Sequence, residues 1–190
     1  LSAAQHYAPA LNDLGIKADS NAESAEAFRA AVSQQFGPAY FNLALCHQYG
    51  RSVPASYETA ARLYRQSAEQ GCVAGKFNLA VCQFLGQGVA QSIAGAVKEF
   101  RNGAGLGHAE SQNNLGYCYS HGYGVERDLE EARRQAIQAR QEEDGRRHRE
   151  PYDLADGVVD HLHLGLKRVL GDPRTRSSPV LGVTSKKPHA

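Results

Sequence analysis

Apolar residues along this chain gather into blocks of about a dozen positions, and the blocks return at a constant interval. The segments FNLALCHQYG, FNLAVCQFLG and NNLGYCYSHG begin at Phe41, Phe77 and Asn113, a step of 36 residues each time. Asn42/Asn78/Asn114, Leu43/Leu79/Leu115, Cys46/Cys82/Cys118, Gly50/Gly86/Gly122, Val53/Val89/Val125 and Ala60/Ala96/Ala132 are identical in all three copies. A period of this size marks units that cannot bury their apolar face alone and stack on their neighbours. Stability then comes from the interfaces between adjacent units.

Within the second copy, Val73 to Leu85 carries Phe77, Leu79, Ala80, Val81, Phe84 and Leu85, too broad an apolar surface for a helix covered by solvent. The pattern predicts a helix buried on most sides. Gly86-Gln87-Gly88 ends it, because glycine takes the left-handed conformation at a helix C-terminus without a Cβ clash. Val89 plugs the turn that follows. Ser92 is placed as an N-cap, and a second helix runs through Val97 and Phe100 to Gly107. The unit is helix, turn, helix.

The first clear copy repeats the scheme, with Pro38 opening its first helix, Ser56 capping the second, and Ala60, Ala61, Tyr64 and Ala68 forming the apolar stripe. In the third, Asp128 followed by Glu131 resembles a capping box. There the stripe fades, with Ala136 where Tyr64 and Phe100 stand and Arg140 where Ala68 and Ala104 stand, as a terminal repeat requires. Run backwards, the period puts Ala8, Ala10 and Phe28 in phase with Ala44, Cys46 and Tyr64. Ser20 to Glu23 again resembles a capping box, and Pro9 is expected to kink the first helix. The expected fold is all-α, an α-α superhelical solenoid of about four helix-turn-helix repeats over residues 2–35, 37–71, 73–107 and 109–144.

LGYCYSHGYGVERDLEEA, from Leu115 to Ala132, resembles the consensus of the Sel-one-like repeats, relatives of the tetratricopeptide repeats with the pattern LGxxYxxGxGVxxDxxxA. The earlier copies depart from it, with Ala44 and Ala80 for the first glycine, Ser52 for a loop glycine, and Ser56 and Ser92 for aspartate. The resemblance covers about three quarters of the chain. It implies a right-handed superhelical scaffold whose concave face, lined by the first helix of each repeat, gathers other proteins. It does not name the partner.

Net charge is +1, from 21 basic and 20 acidic residues, so no global field draws nucleic acid or an anionic membrane. Protein partners are expected. No apolar run approaches the roughly 20 residues that span a bilayer, leaving a soluble chain or one peripheral to a membrane complex. The four cysteines do not read as a disulfide framework, since Cys46, Cys82 and Cys118 recur one per repeat. Helices stacked about 10 Å apart exceed the roughly 7 Å between Cα atoms that a bridge spans. Reduced thiols fit the cytosol or the mitochondrial matrix. The basic tail and the absence of methionine, position 1 included, add to the expectation of mitochondrial residence, with the cytosol as the alternative.

The amide ladder Asn42, Asn78, Asn114 is the most suggestive polar feature. One amide per repeat suits hydrogen bonding either to an extended partner's backbone or to a neighbouring helix. The cysteine column cannot converge on one ion and reads as small packed residues, with Cys72 the thiol most open to solvent. His161 and His163, two residues apart on a helix, point about 200° away from each other. Neither a catalytic motif nor a metal or cofactor set is found, and Gly103 to Gly107 follows no strand. Most aromatics read as core; Tyr40, Tyr119 and Tyr123 sit beside the stripe and are candidate partner anchors.

Residues 145–190 form a C-terminal extension. Leu154, Val158, Leu162, Leu166 and Val169 recur at helical spacing, predicting an amphipathic helix over about 153–170 that caps the array or docks in another subunit. Three prolines among serine, lysine and arginine over 171–190 cannot build a core, and Arg174, Arg176, Lys186 and Lys187 suit an acidic protein surface or RNA phosphates. The expected function is a non-catalytic protein–protein scaffold, an accessory subunit of a larger assembly that binds through the repeat surface, Leu162, Leu166 and the arm. The alternatives are a signalling adaptor with a short peptide in its groove, and a repeat-fold hydrolase.

Overall fold

The computed structural model describes residues 3–18 and 20–147, all within one compact unit, Leu1–Pro151. The helix expected over 153–170 and the tail after it, with Leu162, Leu166, Arg174 and Arg176, lie outside the described residues. Eight helices make up the described part: α1 Ala3–Lys17, α2 Asn21–Val32, α3 Gly37–Tyr49, α4 Tyr57–Glu69, α5 Val73–Leu85, α6 Ile93–Gly105, α7 Ala109–His121 and α8 Leu129–Arg147. Each packs on the next along the chain, and α3 also touches α5. The architecture is a helical repeat solenoid. α1 runs on through Pro9 as one helix.

The repeated glycines and caps form one hydrogen-bonded device used three times. Gly50, Gly86 and Gly122 are left-handed C-caps, with φ of 66, 70 and 74°, and each donates its N–H to the carbonyl of the cysteine four residues earlier. Arg51, Gln87 and Tyr123 donate to the same three carbonyls at 2.9, 3.0 and 3.0 Å. The loop then turns back: the N–H groups of Ser56, Ser92 and Asp128 reach the carbonyls of His47, Gln83 and Tyr119 at 2.8, 2.8 and 2.9 Å. Side chains of the same three residues cap the second helix, accepting from Thr59, Gly95 and Glu131 N–H groups. The turn therefore leaves few of its backbone groups to water. The reciprocal arm of the capping box does not form at Asp128, because Glu131 bonds Gln135 and pairs with Arg134 instead.

The core within a repeat is an aromatic pair in constant register. Phe41 meets Tyr64 at 6.0 Å between centroids and Phe77 meets Phe100 at 5.9 Å, tilted 41 and 47°. Asn113 and Ala136 occupy those columns in the last repeat. There Asn113 instead donates to Glu143 of α8 at 3.3 Å, and Gly116 lets α7 approach α8 so closely that a Cβ would lie 3.0 Å from the Ala132 carbonyl oxygen. Polar contact and backbone proximity replace the ring pair at the terminal unit.

Candidate functional site

The first helix of the middle repeat, α5, has one buried face and one more open ridge. In α5 the exposed or half-buried positions include Cys72, Lys76, Leu79 and Gln83, spaced three or four apart and so on one side of the helix. Of the counterparts one period away, Phe36, Tyr40 and His47 in the earlier repeat and His108 and Tyr119 in the later one are half-buried, whereas Leu43, Gln112 and Leu115 are buried. Tyr40 and Tyr119 lie on this ridge. Both are half-buried rather than free in solvent, and Arg101 donates to the Tyr119 hydroxyl at 3.4 Å. Among the described residues the more exposed tyrosines are instead Tyr7, Tyr49 and Tyr57, at 59, 37 and 46%.

The amide ladder faces the other way. Asn78 and Asn114 are only 4 and 6% exposed, so neither presents itself to a partner. Asn78 lies about 200° around the helix from Lys76 at 100° per residue, and donates back to the Ala74 carbonyl at 2.9 Å. Asn42, half-buried, donates to Asn12 of α1 at 2.9 Å and ties α3 to the helix pair before it. Only Asn42 bonds a neighbouring helix; Asn78 bonds within its own helix, and its Oδ1 is buried without a hydrogen-bond partner.

Tyr123 belongs to a ring cluster that sequence periodicity did not reveal. His121 stacks on Tyr117 at 4.1 Å and lies parallel to Tyr123, 5.5 Å away at 2°. Phe84 touches Tyr123 edge-on at 5.9 Å, and Phe84 in turn meets the buried Phe100 at 6.2 Å. Stacked aromatics thus run from the core to the surface at the end of α7, where His121 is exposed and the two tyrosines half-buried. Such a platform offers flat apolar area with little rotamer entropy left to lose. The only signal in sequence was the density of rings in YCYSHGY, Tyr117 to Tyr123.

His108, Ser111 and Glu110 have distances that suggest an acid–base relay. The Ser111 hydroxyl donates to His108 Nδ1 at 2.8 Å, and His108 Nε2 lies 3.2 Å from Glu110 Oε2. The Ser111 N–H also donates to Nδ1, at 3.3 Å, so the imidazole acts as the N-cap of α7 with its proton on Nε2. Ser111 is 2% exposed, and a Cβ on Gly103 would collide with its hydroxyl. A nucleophile needs access to a carbonyl, which this hydroxyl lacks. The cluster ends a helix.

All four cysteines are free; Cys46, Cys82 and Cys118 are buried and Cys72 is half-buried. Burial pushes the thiols up, Cys82 to about 11 and Cys118 to about 12, and Cys46 in the same direction. A thiol held protonated is a poor nucleophile and a poor metal ligand. Among the described residues no three His, Cys, Asp or Glu side chains cluster as metal ligands, and no helix is long and apolar enough to cross a membrane.

Residues 37–72, 73–98 and 109–134 each match the family model for the Sel1 repeat. This chain is a Sel1-repeat protein. The Sel1 array resembles the crystal structure of c5321, a protective antigen present in uropathogenic Escherichia coli strains displaying an SLR fold, at 31% identity and a TM-score of 0.65 over 70% of this chain. It also resembles a Sel1 repeat protein from Oxalobacter formigenes, at 22% identity and a TM-score of 0.66 over 71% of this chain, a likeness that shows the fold alone. The array spans 30% of the first relative and 58% of the second. No curated protein matches the chain. Sel1 repeats as a class mediate protein–protein interaction.

Proposed function

We propose that this Sel1-repeat protein is a non-catalytic scaffold serving as an accessory subunit of a multiprotein assembly, mitochondrial in residence. The partner is a protein surface held at Lys76 and Gln83 of α5, at the half-buried Tyr40 and Tyr119 one period to either side, and at the ring platform, and the segment with Leu162, Leu166, Arg174 and Arg176 adds a second attachment. One observation carries the reading: the aromatics outside the repeat core, Tyr40 on α3 and Tyr119 and Tyr123 at the end of α7, are half-buried instead of sealed inside. Rings so placed give up little entropy when covered. The non-catalytic part rests on the burial of Ser111 and of three of the four thiols.

Affinity purification of the full chain from its native source, followed by cross-linking and mass spectrometry, tests the proposal. The expected result is one recurrent set of protein partners cross-linked at Lys76, the ridge position between Tyr40 and Gln112, and lost from the Tyr119→Ala/Tyr123→Ala variant. Purification of the chain with no other protein attached overturns the subunit reading. A stoichiometric, pocket-dependent adduct with a broad serine or cysteine probe overturns its non-catalytic part.

A further inference from the structure

The second helices carry a repeat of their own. Phe28-Arg29, Tyr64-Arg65 and Phe100-Arg101 are one aromatic–arginine pair at the 36-residue step, on α2, α4 and α6; Ile137 stands in the arginine column on α8 and ends the series. Each ring is buried, at 6, 0 and 1% exposure, and pins its helix. The arginine, about 100° further round, is exposed in all three. None of the three forms an ion pair among the described residues. Arg101 shows where the side chain leads, donating to the Tyr119 hydroxyl on α7 at 3.4 Å. The period sets Arg29 and Arg65 against His47 and Gln83, the column of Tyr119, and the Arg29 charge is felt at the Cys46 thiol beside His47.

The helices that these arginines approach are almost without acid. α3, α5 and α7 hold one carboxylate between them, Glu110, and it lies against His108. Asp128, whose N–H reaches the Tyr119 carbonyl, holds its carboxylate on the first turn of α8. On the second helices themselves, Glu26 precedes Arg29 by one turn and Glu69 follows Arg65 by one turn, whereas the corresponding residues around Arg101 are Lys98 and Gly105. The uncompensated positive charge is therefore greatest at α6.

We infer that Arg29, Arg65 and Arg101 form a carboxylate-binding ladder that takes an extended acidic segment of the partner protein. The inference rests on the reading that the partner is a protein, and adds the chemistry of the segment it contributes. α3 touches α5 directly, which sets adjacent units about 10 Å apart. Extended chain covers about 3.4 Å per residue, so one carboxylate per repeat means one acidic residue in every three or four. The planar guanidinium meets a carboxylate with two parallel N–H groups. A nucleic acid fits less well, because duplex carries a charge about every 1.7 Å of its axis, far denser than three arginines in register, and the chain as a whole has a net charge of only +1.

Fluorescence polarisation with short labelled peptides on the full chain tests the ladder. One peptide has glutamate at every third position among glycine and serine, a second has the same residues with its glutamates contiguous, and a third has glutamine for glutamate. The spaced-glutamate peptide is expected to bind at low salt, at least tenfold tighter than the glutamine form and at least threefold tighter than the contiguous one. Arg101→Gln should weaken it most among the single variants, about two- to fivefold, the range of one exposed ion pair. Arg29→Gln/Arg65→Gln/Arg101→Gln should reduce it to the level of the glutamine peptide, and Arg133→Gln on α8 should leave it unchanged. All three arginines are exposed, so the circular dichroism and the urea midpoint of the triple variant should match those of the parent. No binding of the spaced peptide, equal binding of the contiguous one, full binding by the triple variant, or tighter binding of an oligouridine each overturns the inference. No native partner enters this titration, so its failure leaves the subunit reading standing. Purification of the chain without partners removes that reading while the titration still decides the ladder.

Discussion

Ser67 on α4 and Gly75 on α5 meet so closely that a Cβ on Gly75 would overlap the Ser67 hydroxyl, and one period later the partners are exchanged, Gly103 on α6 lying against Ser111 on α7. In the first junction of the array both positions are alanine, Ala31 and Ala39, each wholly buried. The summed bulk of each pair is nearly constant. Two small side chains, or one hydroxymethyl and none, are what the crossing of consecutive repeats admits. The two serines also differ in partner, Ser67 donating to the Gly37 carbonyl at 2.8 Å and Ser111 to His108.

The junction should therefore respond as a pair. Gly75→Ser alone is expected to destabilise the array by about 1–3 kcal/mol, the usual range for overpacking. Adding Ser67→Gly should recover most of that, short of about 1 kcal/mol for the lost bond to Gly37. Urea denaturation of both single variants and the double gives the coupling energy. Strictly additive effects would show that the two positions do not compete for space.

Left-handed backbone gives a second comparison. Gly71 and Gly107 have φ of 80 and 76°, and the residue one period before them, Gln35, is held at 57°. A side chain in that conformation costs roughly 1–2 kcal/mol, partly offset by the entropy a glycine loses on folding. Gln35→Gly should stabilise the protein by about 0.5–1 kcal/mol, read as a rise in melting temperature.

Gly88 should behave differently from Gly71, although both have positive φ. A Cβ on Gly88 would strike the Tyr57 carbonyl on the preceding repeat, whereas one on Gly71 meets nothing within 4 Å. Gly71→Ala is expected to cost only the conformational penalty of about 1–2 kcal/mol, and Gly88→Ala clearly more. Equal urea midpoints for the two variants would refute the contact as a stability determinant.

Thiol chemistry should separate the cysteines. An aromatic disulfide reagent is expected to titrate Cys72 rapidly in the native protein, and Cys46, Cys82 and Cys118 only as the protein opens. The same burial predicts alkaline sensitivity. Cys82 and Cys118 keep their protons up to about 11 and 12 in the folded state, against 9.0 ordinarily, so above pH 9 the unfolded state binds fewer protons and stability falls as pH rises. Each tenfold in proton affinity corresponds to about 1.4 kcal/mol. Urea midpoints between pH 8 and 11 should decline less steeply for Cys82→Ala/Cys118→Ala than for the parent.

Local chemistry with a constant period was legible without coordinates. The helix of Val73 to Leu85, the glycine stops, the Ser56, Ser92 and Asp128 caps and the packed cysteine column all depend on residues within one unit, where spacing translates directly into a face or a cap. Solvent exposure was less legible. Tyr40 and Tyr119 read as open because they lie beside the stripe, but both are half-buried, and Tyr119 meets Arg101 of the preceding repeat. Asn78 and Asn114 read as available because they are polar, although helical phase turns them inward.

The amino-acid sequence by itself determined the repeat unit, its length and its turn chemistry, because backbone propensity and hydrophobic period act over a few residues. Only the tertiary structure decided which small residues are paired across junctions and which rings stack from Phe100 out to His121. Those outcomes depend on how one unit sits on the next. The distances that matter join residues whose separation in sequence carries no fixed relation to their separation in space.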